Sequence, residues 1–233
     1  LVIAADGMRS PLRTMLLPKE TLKRYYWHLW VFWLPPATPL PPGISLSLST
    51  KGAAYLFPTH NGRTAVGITR KSAANATYAE HVDKKELLRH VGDMGHWIKG
   101  IVDMLPEKFE CYQDDLRYMQ MKSWNAGRTV FIGDAQHGVS LISGIGASLA
   151  LEDAWALAQE LKEVMSTEDI QPALERFSAR RTKALASAMH WIRYAERLAM
   201  TTSPVLAFVR NTLIKLFPSR VPAPLEAYLK KSL

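Results

Sequence analysis

The chain opens on an apolar run, Leu1 to Ala5, that stops at Asp6-Gly7, and a second run, Thr129 to Ile132, stops at Gly133-Asp134. Short apolar stretches ended by such a pair read as buried strands. Between them, residues 14 to 33 pass from a polar, helical pattern into Tyr25 to Trp33, whose aromatic and β-branched residues predict a strand stopped by Pro35 and Pro36. After a Pro-rich connection at 35 to 42, Ile44 to Ser49, Ala53 to Phe57 and Thr64 to Thr69 read as an antiparallel sheet. Asn61-Gly62 suits a hairpin turn that needs positive φ.

From Tyr78 to Leu105 the period becomes helical. Val82, Leu87, Leu88 and Val91 form one face and Trp97, Ile98, Ile101, Val102 and Leu105 another, with Gly92 and Gly95 between them. Residues 109 to 123 predict a further strand, centred on Leu116 to Met121, with Met119 and Met121 as packing residues. Leu149 to Val164 is a helix whose first half is apolar nearly all round and is therefore expected to be buried. Ile170 to Thr201 is a second long helix with an apolar stripe of Leu174, Phe177, Leu185, Met189, Ile192 and Leu198, and a packed His190 beside it.

The segment from Gly133 to Ala154 joins strand, aperiodic loop and helix start, with Gly144 and Gly146 at the helix entrance. Glycines there let a bulky ligand approach the backbone, and the free amides and positive dipole end favour negative charge. An aspartate such as Asp134, ending a buried strand, suits a ribose or ribityl hydroxyl. Gly144 and Gly146 also fit a simple turn closure. The spacing is not the dinucleotide fingerprint, because Gly144 follows Gly133 by eleven residues rather than lying directly after the strand.

Gly133-Asp134-Ala135-Gln136-His137, Gly144-Ile145-Gly146 and Leu151-Glu152-Asp153-Ala154 together resemble the second flavin-binding motif of the FAD-dependent aromatic hydroxylase-like (group A) flavoprotein monooxygenases. Leu1 to Arg13 is similar to that family's strand, Asp-Gly, x-x-Ser, x-x-Arg segment, about 125 residues earlier and in the right order. The resemblance implies an α/β fold, α+β in these residues. It implies the C-terminal part of a Rossmann-like FAD-binding domain with an inserted antiparallel-sheet substrate domain and C-terminal helices. Residues 1–13 and 125–165 would belong to the FAD-binding domain, 14–124 to the substrate domain and 166–233 to a helical region. The family's preceding G-x-G-x-x-G segment does not occur in this sequence, so the chain is expected to be a C-terminal portion.

By the same resemblance, NAD(P)H reduces FAD, oxygen adds at the flavin C4a position, and the hydroperoxide oxygenates an aromatic or other electron-rich small molecule. The implied cofactor contacts are Asp6, Gly7, Gly133, Asp134, Gly144, Ile145, Gly146 and Ala147, with Asp134 on the ribityl or pyrophosphate region and the Gly144 to Ala147 amides facing the ring. Tyr55-Leu56-Phe57-Pro58 looks like the family's aromatic-Pro strand end. Leu141 and Ser148 stand where the family usually has proline and often asparagine. No side chain is assigned a catalytic role, and His137 is expected to fix the loop by a hydrogen bond. The alternative is a non-catalytic binding module that has lost the ADP-binding half. A third reading is a family reductase acting on a lipid or isoprenoid.

Composition narrows this further. With 233 residues and 48% hydrophobic content the chain can build one large or two modest cores. The net charge of +8 comes from scattered basic residues, so nucleic-acid binding is not expected. The single cysteine, Cys111, excludes an intrachain disulfide framework, fits a reducing, cytoplasmic compartment, and is expected to pack rather than react. His81, His90 and His96 lack metal-ligand spacing and read as surface or capping residues. Arg176, Arg180, Arg181 and Lys183 read as a solvated helix face. The tail from Pro204 mixes apolar runs with Arg210, Lys215 and Arg220; it is expected to dock on the protein, with peripheral membrane contact as the lesser reading.

Overall fold

The computed structural model describes residues 1–36, 45–73, 76–78, 81–140 and 143–216. Most of the Pro-rich connection, Leu141, Phe217 and the tail with Pro218, Arg220, Pro222 and Pro224 lie outside the described residues. In chain order the elements are β1 (Val2–Ala4), α1 (Pro11–Leu16), β2 (Lys23–Trp33), β3 (Ser45–Leu48), β4 (Gly52–Pro58) and β5 (Thr64–Lys71). There follow α2 (Lys84–Val91), α3 (His96–Asp103), β6 (Cys111–Tyr118), β7 (Asn125–Ala126), β8 (Thr129–Phe131), α4 (Asp134–His137), α5 (Gly146–Leu161), α6 (Ile170–Ala199) and α7 (Pro204–Leu216). They fall into two compact units.

The first unit holds residues 1–25 and 117–196. Its sheet has the order β1-β8-β7, with β1 and β8 parallel in the register Val2↔Thr129, Ile3↔Val130, Ala4↔Phe131. The two Asp-Gly and Gly-Asp strand ends therefore lie side by side, although some 125 residues separate them. Trp124, Val130, Leu149, Leu157, Leu174, Phe177 and Met189 form one buried cluster. Burying each large apolar side chain stabilises the fold by roughly 1.5–3 kcal/mol. Trp124 meets Phe177 edge-on at 5.1 Å and donates its indole N–H to Thr182 Oγ1 at 2.9 Å.

Three expectations change in this unit. The helix α5 is not buried all round: Leu149, Ala156 and Leu157 point into the core, while Leu151 is 73% and Trp155 57% exposed. An Ala- and Leu-rich sequence conceals a one-sided helix because alanine fits either environment. The strand expected over Leu116 to Met121 is Cys111–Tyr118 instead. Met119 and Met121 leave that strand and donate their backbone N–H groups to Gly138 O (2.8 Å) and Gln136 O (3.0 Å), and both side chains are buried, as their packing role requires. His190 is exposed rather than packed, lying edge-on to Trp191 at 5.9 Å.

The second unit holds residues 26–116 and the described part of 197–218. Its sheet has the order β3-β4-β5-β2-β6, antiparallel from β3 through β2. The β4–β5 turn closes with Thr59 N–H donating to Arg63 O at 2.8 Å, and Gly62 takes φ +76°, the conformation that the Asn-Gly pair predicts. On one face Trp30, Phe32, Ala54, Leu56, Val66 and Ile68 pack against Leu87 and Val91 of α2 and Ile98, Ile101 and Val102 of α3. The alternate positions Leu29, Tyr55 and Gly67 lie on the other face. There the Tyr55 hydroxyl is 3.2 Å from Thr69 Oγ1.

His81 and His96 are exposed, but His90 is half-buried, bonded to Glu86 at 2.9 Å and stacked at 5.3 Å on Trp30. Cys111 packs against the same core, and burial pushes its thiol up to about 11. The native thiol is therefore expected to react with a disulfide reagent at neutral pH at least tenfold more slowly than the denatured chain. Equal rates in a stopped thiol titration would contradict this burial. Among the described residues no helix is long and apolar enough to cross a membrane.

Candidate functional site

The site starts where β1 ends. Gly7 takes φ +82°, and Ser10 then caps α1: its N–H donates to Gly7 O at 3.0 Å and its Oγ accepts from Arg13 N–H at 2.9 Å. Pro11 fits the first turn, where no N–H is needed. Asp6 Oδ2 accepts from Leu12 N–H at 3.2 Å. This places Arg13, 2% exposed, so that its guanidinium donates to Met8 O (2.5 Å) and to Ala135 O (2.7 Å). The Asp-Gly…Ser…Arg pattern is thus a clamp that holds the Asp6-Gly7 turn against the loop following β8.

That loop turns at Gly133, with φ +58°. A Cβ there would lie 2.9 Å from Ala150 Cβ on α5, so the position excludes larger residues by both backbone conformation and space. Its N–H donates to Asp153 Oδ2 at 2.8 Å. Asp153, fully buried, also lies 2.5 Å from His137 Nε2 and accepts from Arg181 Nε at 2.7 Å through its other oxygen. His137 fixes the loop, as expected. Arg181 is the correction: it is 5% exposed, not on a solvated face, and it also bonds Glu152 at 3.1 Å. The signal was Glu152-Asp153 within an apolar helix, since a buried carboxylate requires a cationic partner. Arg176 and Arg180 do lie on the exposed face, both paired with Glu160.

Asp134 is the first residue of α4 rather than the end of the strand, and it is exposed. The protein bulk on one side of its carboxyl pushes the pKa up, and His137 opposes that shift. The helix α5 begins at Gly146 with Ile145 as N-cap and no side-chain cap. Its first i→i−4 bond runs from Leu149 N–H to Ile145 O (3.0 Å), so the amides of Gly146, Ala147 and Ser148 have no intrahelical acceptor. Gly144, at φ +67°, and Ala147 are exposed at this entrance. A Cβ on Gly146 would lie 3.8 Å from Asp134 Oδ1 and 3.3 Å from Val139 Cγ2. The structure therefore brings Gly133, Asp134 and Gly146 together, and joins Asp6 and Gly7 to them through Arg13.

Sequence reading missed a second support for the loop. Ser140 donates to Glu196 Oε1 at 2.5 Å, and the Tyr25 hydroxyl donates to Glu196 Oε2. Glu196 is 2% exposed, and burial raises its carboxyl pKa against the two hydroxyls and Arg193, which lower it. Burial and Glu196 also raise Tyr25. Nothing in the sequence links these residues, which come from three separated segments. Because the folded state holds a proton on Glu196 to higher pH than the unfolded chain does, stability falls as pH rises from the ordinary glutamate range through the raised value. Glu196→Gln is expected to flatten that fall in urea midpoints measured across pH; an unchanged slope would contradict it.

A model of the family described as FAD binding domain matches residues 1–191. The chain belongs to this family, that of the group A flavoprotein monooxygenases. This FAD-binding-domain chain is 28% identical over 228 residues to 2-heptyl-3-hydroxy-4(1H)-quinolone synthase of Pseudomonas aeruginosa, covering 94% of the chain and 57% of the relative. It is 30% identical over 168 residues to a flavin-dependent monooxygenase of Legionella longbeachae, covering 70% of the chain and 43% of the relative. Its fold is that of Klebsiella pneumoniae HpxO complexed with FAD and uric acid (TM-score 0.79, 20% identity, 92% of the chain and 56% of that structure). The chain spans about half the length of these relatives.

The residues present fit a flavin nucleotide. An exposed helix start whose first amides have no intrahelical acceptor accepts an anionic or electron-rich edge. The Asp134 carboxylate beside it accepts from a sugar or ribityl hydroxyl. Two glycines leave the backbone bare for a flat ring.

Proposed function

We propose that the protein is an FAD-dependent monooxygenase that takes electrons from NADH or NADPH and hydroxylates an aromatic or other electron-rich small molecule. The observation that carries this reading is the uncapped start of α5 facing the Asp134 carboxylate, in a chain of the FAD binding domain family. Two similar proteins support the substrate class by name: one is a hydroxyquinolone synthase, and the other is a structure holding uric acid. Both molecules are electron-rich heterocycles.

When bound, FAD supplies the electron transfer and oxygen activation. The chain's own residues do the rest. The amides of Gly146 to Ser148 and the α5 dipole stabilise negative charge at the helix mouth. Asp134 would orient the polyol side by accepting a hydrogen bond from one of its hydroxyls. The Asp153–His137–Arg181 network and the Ser140–Glu196 bond hold the loop in the one conformation that presents these groups, so little reorganisation is needed when charge develops. Asp6 and Gly7, in the turn that Arg13 fixes, would brace the dinucleotide from the other side.

Mixing the full-length FAD-loaded protein with NADH and with NADPH under anaerobic conditions tests the enzyme reading. Bleaching of the flavin absorbance by at least one of the two, accelerated by an electron-rich aromatic, is expected. A folded protein that holds FAD but is bleached by neither would be a binding module instead.

A further inference from the structure

The helix α7 is amphipathic in the inverted sense. Ala207 and Arg210 face inward, and Arg210 Nη1 caps the end of α6 by donating to Ala199 O at 2.8 Å and Leu198 O at 3.3 Å. The outward arc carries Val205, Leu206, Phe208, Val209, Leu213 and Leu216, which are 45–72% exposed. At 100° per residue these six span roughly 160°, wider than an ordinary core-facing stripe, and Ile214, 51% exposed, widens the apolar surface further, yet it points to solvent. Lys215 lies at the edge of that arc, and Arg197 is exposed in the last turn of α6.

Charge identifies the occupant. With Arg210 buried under the helix, the exposed cations from Arg197 to the end of α7 are Arg197 and Lys215, and the sequence that follows adds Arg220, Lys230 and Lys231 against a single acidic residue, Glu226. The described α7 itself has none. A protein groove that takes an apolar helix needs no such one-sided basic flank, whereas an anionic bilayer rewards both the apolar face and the adjacent cations. We infer that α7 is an interfacial helix that seats the protein on the surface of an anionic lipid bilayer, with Phe208, Val209 and Leu213 entering the acyl boundary and Arg197 and Lys215 at the headgroups. The helix would then lie on the membrane surface; among the described residues no helix is long and apolar enough to cross it. This inference stands apart from the flavin reading and is tested without activity.

The full chain is incubated with vesicles of phosphatidylcholine and phosphatidylglycerol in about equal parts, and with phosphatidylcholine alone, then floated through a density step. The wild type is expected to float with the anionic vesicles and to be released by high salt. Phe208→Asp/Val209→Asp, whose positions are exposed, is expected to float about tenfold less at an unchanged melting temperature. Arg197→Glu/Lys215→Glu is expected to lose the preference for anionic lipid while keeping its fold. A wild type that stays unfloated, or an aspartate pair that floats equally, overturns the inference. So does an unfloated protein that sediments as a dimer and becomes monomeric with the aspartate pair, because a second copy would then cover the face.

Discussion

Asp153→Ala is expected to cost about 3–5 kcal/mol of unfolding free energy, the range for removing one partner from a buried ion pair. The reason is the number of groups that one carboxylate satisfies: the Gly133 N–H, His137 Nε2 and the Arg181 guanidinium, all buried. Truncation removes the fully buried acid partner of Arg181, leaving that guanidinium to the partly exposed Glu152, and releases the loop that carries Asp134. Asp153→Leu combined with Arg181→Met removes both charges and is expected to cost distinctly less than the sum of the single changes, because neither charge is then left without its buried partner. Urea unfolding of the wild type, Asp153→Ala, the single changes Asp153→Leu and Arg181→Met, and their combination measures this. An Asp153→Ala loss below about 1 kcal/mol, the level of an exposed pair, would mean that the network does not hold the loop.

Gly133→Ala is the second large effect, about 2–5 kcal/mol, from two separable causes. A side chain at φ +58° costs about 1–2 kcal/mol, and a Cβ 2.9 Å from Ala150 Cβ adds an overpacking cost of about 1–3 kcal/mol. Ala150→Gly in the same molecule relieves the second cause and leaves the first. The double variant is therefore expected to recover part of the loss beyond the ordinary cost of a helical glycine, about 1 kcal/mol. If it recovers nothing, the close approach of α5 to this turn is not what demands glycine there.

The parts of the fold that were legible in the sequence are those where one residue type has few alternatives. Asp6-Gly7, Gly133-Asp134 and Gly144-Ile145-Gly146 mark turns or helix starts at which other residues are strained, and the structure places each at such a point. Asn61-Gly62 marked its hairpin for the same reason. The strand over Tyr25 to Trp33 followed from its aromatic and β-branched residues, and the two short helices with Gly92 and Gly95 between them followed from their period. What stayed hidden depends on long-range partners. Arg181 looks like its neighbours Arg176 and Arg180 until Asp153 is seen beneath it. Glu196 gives no sign of Tyr25 and Ser140, which lie 171 and 56 residues away. The exposed side of α5, with Leu151 and Trp155, was illegible because hydrophobic composition states what a helix can bury and not what it does bury.

The central claim is that the start of α5 and Asp134 together hold FAD, and the most direct measurement is FAD affinity by flavin fluorescence titration of the full-length protein and two variants. The wild type is expected to bind FAD, with Asp134→Ala about tenfold weaker or more, the loss of a charge-assisted hydrogen bond. Gly146→Val is expected to be weaker still, because its side chain fills the approach between Val139 and Asp134. Unchanged affinity in both variants, with their fold intact, would contradict the account and place the flavin elsewhere.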